Sequence, residues 1–322
     1  MSPILQLRQN FFSSRNDPAD PRLGDYFLKS KPASLENKFI VMGYPDDQGI
    51  FINGGRTGSS LAPEHIRRQF YKMTPTKKHH PETLMDWGDF QWKQESLQEK
   101  QQQIQEVQIP IYQQSGKIIA LGGGHDFAAA DTISFLKHFE NQNPIIVNFD
   151  AHADVRTTAL KGPHSGTPFY QMLENPISEK CTFIEMGLQS VCNSKDHFDY
   201  LRKKRAHVFS REDFRNTQVL ISRLSEILFP ESPTGHEKTR PCFLSIDMDV
   251  FSQEIAPGCS QSWPHGILWN EFEPIFHWLC HATKVCGLGI YEANPLYDMD
   301  FRTSKLAAVI LHEISTRTGQ SS

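Results

Sequence analysis

The sequence predicts an α/β protein in which a mostly parallel sheet is covered by helices on both faces. Three observations lead there. Six apolar runs are nearly continuous instead of alternating, which marks strands buried on both sides. Longer amphipathic segments separate them, and a repeated β-α-β-α order builds a layered α/β domain. Polar, chemistry-bearing residues gather just past several of the runs, where open parallel sheets hold their ligands.

Taken in order, the strand candidates are KFIVMGY (38–44), KIIALGG (117–123), PIIVNFD (144–150), CTFIEMG (181–187), PCFLSIDMDV (241–250) and KVCGLGIYEA (284–293). Helices are expected over 62–73, over 96–114 with an interruption at Pro110, and over 131–141, 194–204 and 270–282. The Pro-, Gly- and charge-rich stretch 229–241 reads as a surface loop within the same alternation. The glutamine-rich piece at 101–103 reads as a solvated helix face, and no internal repeat is visible.

Composition narrows the function classes. A hydrophobic fraction of 38% over 322 residues is enough for a core, and a net charge of −4 leaves no basic footprint for nucleic acid. No apolar run approaches the roughly 20 residues that span a bilayer. The first residues lack an apolar h-region and a small-residue cleavage site, so secretion is not expected. None of the six cysteines forms a CxxC pair. Free thiols in a reducing cytoplasm are the expectation.

The stretch VNFDAHADVR (147–156) carries the chemistry. Asp150, His152 and Asp154 stand at alternate positions, and in extended backbone such residues face one side. A second acidic pair, Asp247 and Asp249, ends the run FLSID. His125 follows the triple glycine 122–124, which is expected to let the backbone turn tightly. Burying these groups without a counter-ion would be costly. The bland readings apply to isolated motifs: Asp298-Met-Asp300 is expected to be a solvated turn, and GGGHDF does not fit a dinucleotide fingerprint. Four carboxylates and two imidazoles without thiolate favour two Mn2+ ions, with Co, Fe, Ni or Zn as alternatives. The four negative charges match two divalent cations, and such a pair can ionise a shared water near neutral pH.

These motifs resemble the ureohydrolase (arginase/agmatinase) superfamily over about residues 38–312. GYPDDQGIFINGGRTGSSLAPEHIR (43–67), GGGHD, NFDAHAD, SIDMDVFSQEIAPG and YEANP occur in the family's order. The resemblance implies a three-layer α/β/α sandwich with a roughly eight-stranded sheet. It implies a single arginase-like domain over 36–322 after an N-terminal extension, 1–35. Family tendency implies a homo-oligomer. One manganese would be held by His125, Asp150, Asp154 and Asp247, the other by Asp150, His152, Asp247 and Asp249, with Asp150 and Asp247 bridging. Glu292 would hydrogen-bond the amidino group of a small-molecule substrate, and Asp126 and Asn148 would support the ligands or cap turns.

Within the superfamily, HSGTPF (164–169) and YEANPLYDMDFRTSKLAA (291–308) resemble the formimidoylglutamase branch. Arg156, where arginases carry a neutral amide, would clamp a substrate carboxylate as a bidentate donor. The implied reaction is hydrolysis of N-formimidoyl-L-glutamate to L-glutamate and formamide in histidine breakdown. The general acid would be His164 or Asp154. Ser165 aligns with the family's shuttle histidine and is a further substrate-side candidate. APGCSQS departs from the family's APGTGTP at Cys259 and Ser260. The alternatives are an agmatinase- or guanidinobutyrase-like enzyme releasing urea, or a catalytically silent metal-binding protein.

Overall fold

The computed structural model describes residues 5–7, 11–26, 34–75, 84–231 and 240–317. They build one nine-stranded sheet. In chain order its strands are β1 (Leu5–Gln6), β2 (Phe39–Gly43), β3 (Leu84–Phe90), β4 (Lys117–Leu121), β5 (Ile145–Phe149), β6 (Thr182–Leu188), β7 (His207–Ser210), β8 (Pro241–Asp247) and β9 (Lys284–Tyr291). The spatial order is β1-β3-β2-β4-β9-β8-β5-β6-β7. Strands β2 to β9 are all parallel, and the two-residue β1 closes one edge antiparallel to β3.

The helices are α1 (Gln48–Asn53), α2 (Ala62–Phe70), α3 (Leu97–Gln113), α4 (Ala128–Phe139), α5 (Pro168–Glu174), α6 (Lys195–Lys203), α7 (Thr217–Leu228), α8 (Trp269–Ala282) and α9 (Arg302–Arg317). Successive strand residues serve opposite faces, as pleating requires. Phe39, Val41, Val147 and Leu244 join a core with α2, α7, α8 and α9. Ile40, Met42, Ile146 and Phe243 join another with α3, α4, α5 and α6. The three-layer sandwich is therefore present. No helix among the described residues is long and apolar enough to cross a membrane.

Several expectations shift. Strands β1, β3 and β7 and helices α1, α5, α7 and α9 were not expected. Helix α3 is not interrupted at Pro110 but runs on to Gln113. Pro110 and Glu106, whose carbonyl loses its helical partner, are both exposed. Water can take that hydrogen bond, so the helix bears the proline. Most of the loop expected over 229–241 lies outside the described residues. The described parts of the 1–35 segment lie against the sheet: Phe11 and Leu23 are buried, and the Leu23 N–H bonds the Met73 carbonyl at 2.8 Å.

Candidate metal centre

Four neighbouring strands in the middle of the sheet, β4, β9, β8 and β5, deliver the candidate residues from their carboxyl ends. His125 follows β4 in a short 3-10 turn. Asp150, His152 and Asp154 follow β5. Asp247 ends β8, Asp249 lies in the turn after it, and Glu292 follows β9. The geometry is not strand alternation, because β5 stops at Phe149. The loop instead curls: the His152 N–H donates to Asp150 Oδ1 at 2.7 Å, and Asp154 adopts a left-handed φ of +48°. Glu292 is left-handed too, at +63°. Such backbone costs a non-glycine residue about 1–2 kcal/mol, and it is tolerated where the surroundings fix a functional side chain.

The triple glycine works differently from expectation. None of Gly122, Gly123 and Gly124 has positive φ. Each supplies clearance: a Cβ would strike the Tyr291 ring at 122, the Asp46 carbonyl at 123 and the Asp126 carboxylate at 124. The chain can therefore lie close against β9 and the loop after β2.

Two groups of ligand atoms result. His125, Asp150, Asp154 and Asp247 form one, and Asp150, His152 and Asp249 the other, with the atoms of each group within 4.8 Å of one another. Asp150 belongs to both. Asp247, expected to bridge, is placed in the first: its Oδ2 faces His125 at 3.1 Å, and its Oδ1 accepts the Asp249 N–H at 2.8 Å. In the first group, His125 Nδ1 lies 3.1 Å from an oxygen of each of Asp150, Asp154 and Asp247. It makes no hydrogen bond, although it is buried. Its other nitrogen, Nε2, meets Ser245 Oγ at 2.9 Å. With Nε2 tied to Ser245, Nδ1 faces carboxylate oxygens from three sides, a position that favours positive charge, whether a proton on the ring or a metal cation between the ligands. In the second group, His152 Nδ1 is 3.0 Å from Asp249 Oδ2 and 3.5 Å from Asp150 Oδ1.

The electrostatics agree. Burial works against a charged His125, yet the three carboxylates hold its imidazolium well above the usual histidine range. Burial and then the neighbouring carboxylates push the Asp150 and Asp247 carboxyls up. The cluster gathers positive charge. Oxygen and imidazole donors without sulfur fit a divalent first-row cation in each group.

A cavity of about 320 Å3 opens on the cluster, lined also by Arg156, Ser165, Ser260 and Glu292. Arg156 donates to the amide oxygen of Asn53 at 2.6 Å, and the Asn53 amide nitrogen donates to Ser165 Oγ at 3.0 Å. Arg156 is exposed and has no carboxylate partner among the described residues. Glu292 is held by the His125 N–H at 2.9 Å and by the Ser260 hydroxyl. Burial pushes its carboxyl up to about 7. His164 lines an adjoining cavity of about 510 Å3, with Lys161 and His197, instead of the one over the cluster. Its Nδ1 accepts the Gly166 N–H at 3.1 Å, and burial and then Arg156 lower its pKa. Of the two shuttle candidates only Ser165 reaches the cavity over the cluster.

Asn148 donates to Glu185 at 2.9 Å and reaches Asp150 at 3.5 Å. The Asp126 carboxylate packs against Gly49 and Gly124 without a hydrogen bond. Asn53, Cys192, Gln261 and Trp263 also line the cavity and were not anticipated. Asn53 sits in the 43–67 segment and Gln261 in APGCSQS without having been singled out there, and Cys192 and Trp263 lie in no quoted motif. Ser260 was visible only as a departure from a family pattern.

Comparison with known proteins agrees with this picture. The Arginase family model matches residues 37–316. A formimidoylglutamase of Staphylococcus haemolyticus is 30% identical over 308 residues, covering 91% of this chain and 93% of that one. Among solved structures, the formimidoylglutamase of Bacillus subtilis superposes with a TM-score of 0.81 at 24% identity, covering 96% of this chain and 95% of that one. A Trypanosoma cruzi formiminoglutamase with Mn2+2 gives 0.78 at 23%, covering 94% and 99%. Matched by the family model over nearly its whole length and sharing the sheet that carries the acidic and imidazole cluster, the chain belongs to the arginase family.

Proposed function

We infer that this chain hydrolyses the C–N bond of a linear amidine, and that its substrate is N-formimidoyl-L-glutamate, converted with water to formamide and L-glutamate. Two Mn2+ ions are the proposed cofactors. His125, Asp150, Asp154 and Asp247 would hold one, and Asp150, His152 and Asp249 the other. When bound, the pair would supply Lewis acidity and an ionised water at neutral pH. The chain's own residues do the rest. The Glu292 carboxylate accepts an N–H of the amidino group and turns the planar carbon toward the cluster, while Ser260 and the His125 N–H keep it from swinging. Water oxygen bonds to the formimidoyl carbon, the bond from that carbon to the glutamate nitrogen breaks, and the nitrogen takes a proton. Asp154, whose carboxylate lines the cavity, carries that proton. Ser165 and Asn53 form the polar wall opposite.

One observation carries the choice of substrate. Arg156 opens into the same cavity as the cluster with only a neutral amide for a partner. A free guanidinium there suits a substrate that brings carboxylates and disfavours agmatine, whose tail is cationic. The test is a panel with Mn2+-loaded protein, comparing formiminoglutamate, arginine, agmatine and guanidinobutyrate for release of formamide or urea. Formiminoglutamate should dominate, and Arg156→Glu should lower its kcat/KM about a hundredfold or more by placing like charges together. Urea release from agmatine at a higher kcat/KM would replace this substrate with a guanidino compound.

A further inference from the structure

We propose that Tyr291, held by the buried carboxylate of Asp131, is the positioning residue that sets the plane of the His125 imidazole and so the affinity of the metal centre. The proposal rests on the metal-centre reading above and concerns residues that touch neither substrate nor metal.

Asp131 lies in the first turn of α4, fully buried. Its carboxylate takes three hydrogen bonds from three different elements. Tyr44, just past β2, donates its hydroxyl to Oδ1 at 2.6 Å. Gln108 of α3 donates its amide to the same oxygen and to the Tyr44 hydroxyl, the latter at 2.8 Å. Tyr291, the last residue of β9, donates its hydroxyl to Oδ2. All four side chains are buried. No ligand of the metal centre belongs to this network, yet it ends against one. The Tyr291 ring stacks on the His125 ring with centroids 5.0 Å apart and planes 28° apart.

The stacking answers a geometric need. The hydrogen bond between Nε2 and Ser245 Oγ pins one corner of the imidazole but leaves the ring free to tilt about it. Nδ1 must meet oxygens from three separate carboxylates, so a small tilt spoils several distances together. Tyr291 covers one face, and Phe169 meets the ring edge-on at 5.4 Å. Tying the tyrosine hydroxyl to Asp131 stops the covering ring from sliding. Gly122 and Gly289 leave room for it: a Cβ on either would collide with the Tyr291 side chain. Part of the triple glycine is thus explained by this contact. Tyr291 also precedes Glu292, whose N–H bonds the Gly123 carbonyl at 2.9 Å. One anchored ring therefore orients a metal-facing imidazole and the strained turn that presents Glu292.

The test is Mn2+ affinity by chelator competition on purified full-length protein, with the Co2+-substituted visible spectrum as a second readout. Tyr291→Phe should weaken Mn2+ binding about 10–100-fold and alter the Co2+ bands, as loss of an orienting partner does elsewhere. Tyr71→Phe is the control. It also removes a tyrosine hydroxyl from a buried carboxylate, that of Asp86, but away from the centre, and it should leave affinity and spectrum unchanged. Asp131→Asn should weaken Mn2+ in the native background and add little to Tyr291→Phe, since it acts through that ring. If Tyr291→Phe does not fold, Asp131→Asn carries the affinity prediction alone. Mn2+ affinity within about threefold of native in the folded variants, or fully multiplicative losses, would overturn the proposal. Native protein that takes up no divalent metal would instead overturn the metal-centre reading.

Discussion

Two buried acidic clusters in this molecule solve the same problem in opposite ways. Near the β1–β3 edge, Asp86 and Asp89 flank Arg67, which is fully buried. The guanidinium reaches Asp86 from Nε at 2.7 Å and from Nη2 at 3.0 Å, and Asp89 from Nη1. Burial opposes its charge, but Asp86 and then Asp89 hold it well above the usual arginine range. At the carboxyl ends of the central strands, four aspartates converge with only imidazoles among them. No lysine or arginine among the described residues pairs with any of the four. The edge cluster carries its own cation and is part of the scaffold. The central one is arranged for a cation from solution. Burial of carboxylates alone does not separate the two; the presence or absence of a fixed cation does.

The largest effects should split along that line. Asp150→Ala should abolish both metal uptake and turnover, since this residue belongs to both ligand groups. With chelator present it should lower stability far less than Arg67→Ala, because the contacts it loses to His125 and the His152 N–H are offset by relief of carboxylate repulsion. Arg67→Ala should do the reverse. It leaves two buried carboxylates unpaired and should cost about 3–5 kcal/mol, with metal content of the folded fraction unchanged. Urea denaturation with chelator, together with metal analysis, reads both. Equal destabilisation by the two variants would erase the distinction. Added Mn2+ should also raise native stability by about 2.7 kcal/mol at a hundred times its dissociation constant, and leave Asp150→Ala unmoved.

The same contrast explains what could be read from the sequence. Strands β2, β4, β5, β6, β8 and β9 are legible because burial on both faces makes them apolar throughout. Strand β3 is not, because Asp86, Gly88 and Asp89 interrupt it. Those acids are satisfied by Arg67, 19 and 22 residues away in sequence, a pairing no local pattern reveals. Strand β7 is too short to show a pattern, and α9 begins where Asp298 takes the Thr303 and Ser304 N–H groups at 2.9 Å each, a cap that reads in sequence as a solvated turn. The metal-facing residues were legible because each chemistry-bearing type stands beside a strand end. Asn53, Ser260 and Tyr291 were not, because their importance lies in which side chain they meet.

Asp131 offers a third arrangement and a smaller effect. Its three hydrogen-bond partners are neutral, and burial pushes its carboxyl up to about 6. The unfolded chain releases this proton near the ordinary aspartate value, so between there and about 6 the folded state binds the extra proton. The contribution is therefore complete at low pH and lost as pH rises through about 6, on the order of 3 kcal/mol in all. Asp131→Asn should lower stability overall yet remove that slope. Urea midpoints at several pH values with chelator present, native against variant, isolate it. A native slope that persists in Asp131→Asn belongs to another group.

The smallest expected effect concerns an acid held by a single hydroxyl. Among the described residues no lysine or arginine pairs with Glu292; Ser260 and the His125 N–H restrain its two oxygens. Ser260→Ala removes one restraint without touching a ligand of the centre. Hydrogen bonds to a charged group contribute about 1.5–3 kcal/mol, and part of this persists in the bound state through the substrate itself, so kcat/KM should fall about tenfold. Metal content should be unchanged, because neither ligand group includes Ser260. A loss of metal in Ser260→Ala would mean that the loop carrying Cys259 and Ser260, which Arg56 clamps through both carbonyls at 2.8 and 3.2 Å, shapes the centre itself. A loss of turnover alone places Ser260 where the geometry does, behind the carboxylate that meets the amidino group.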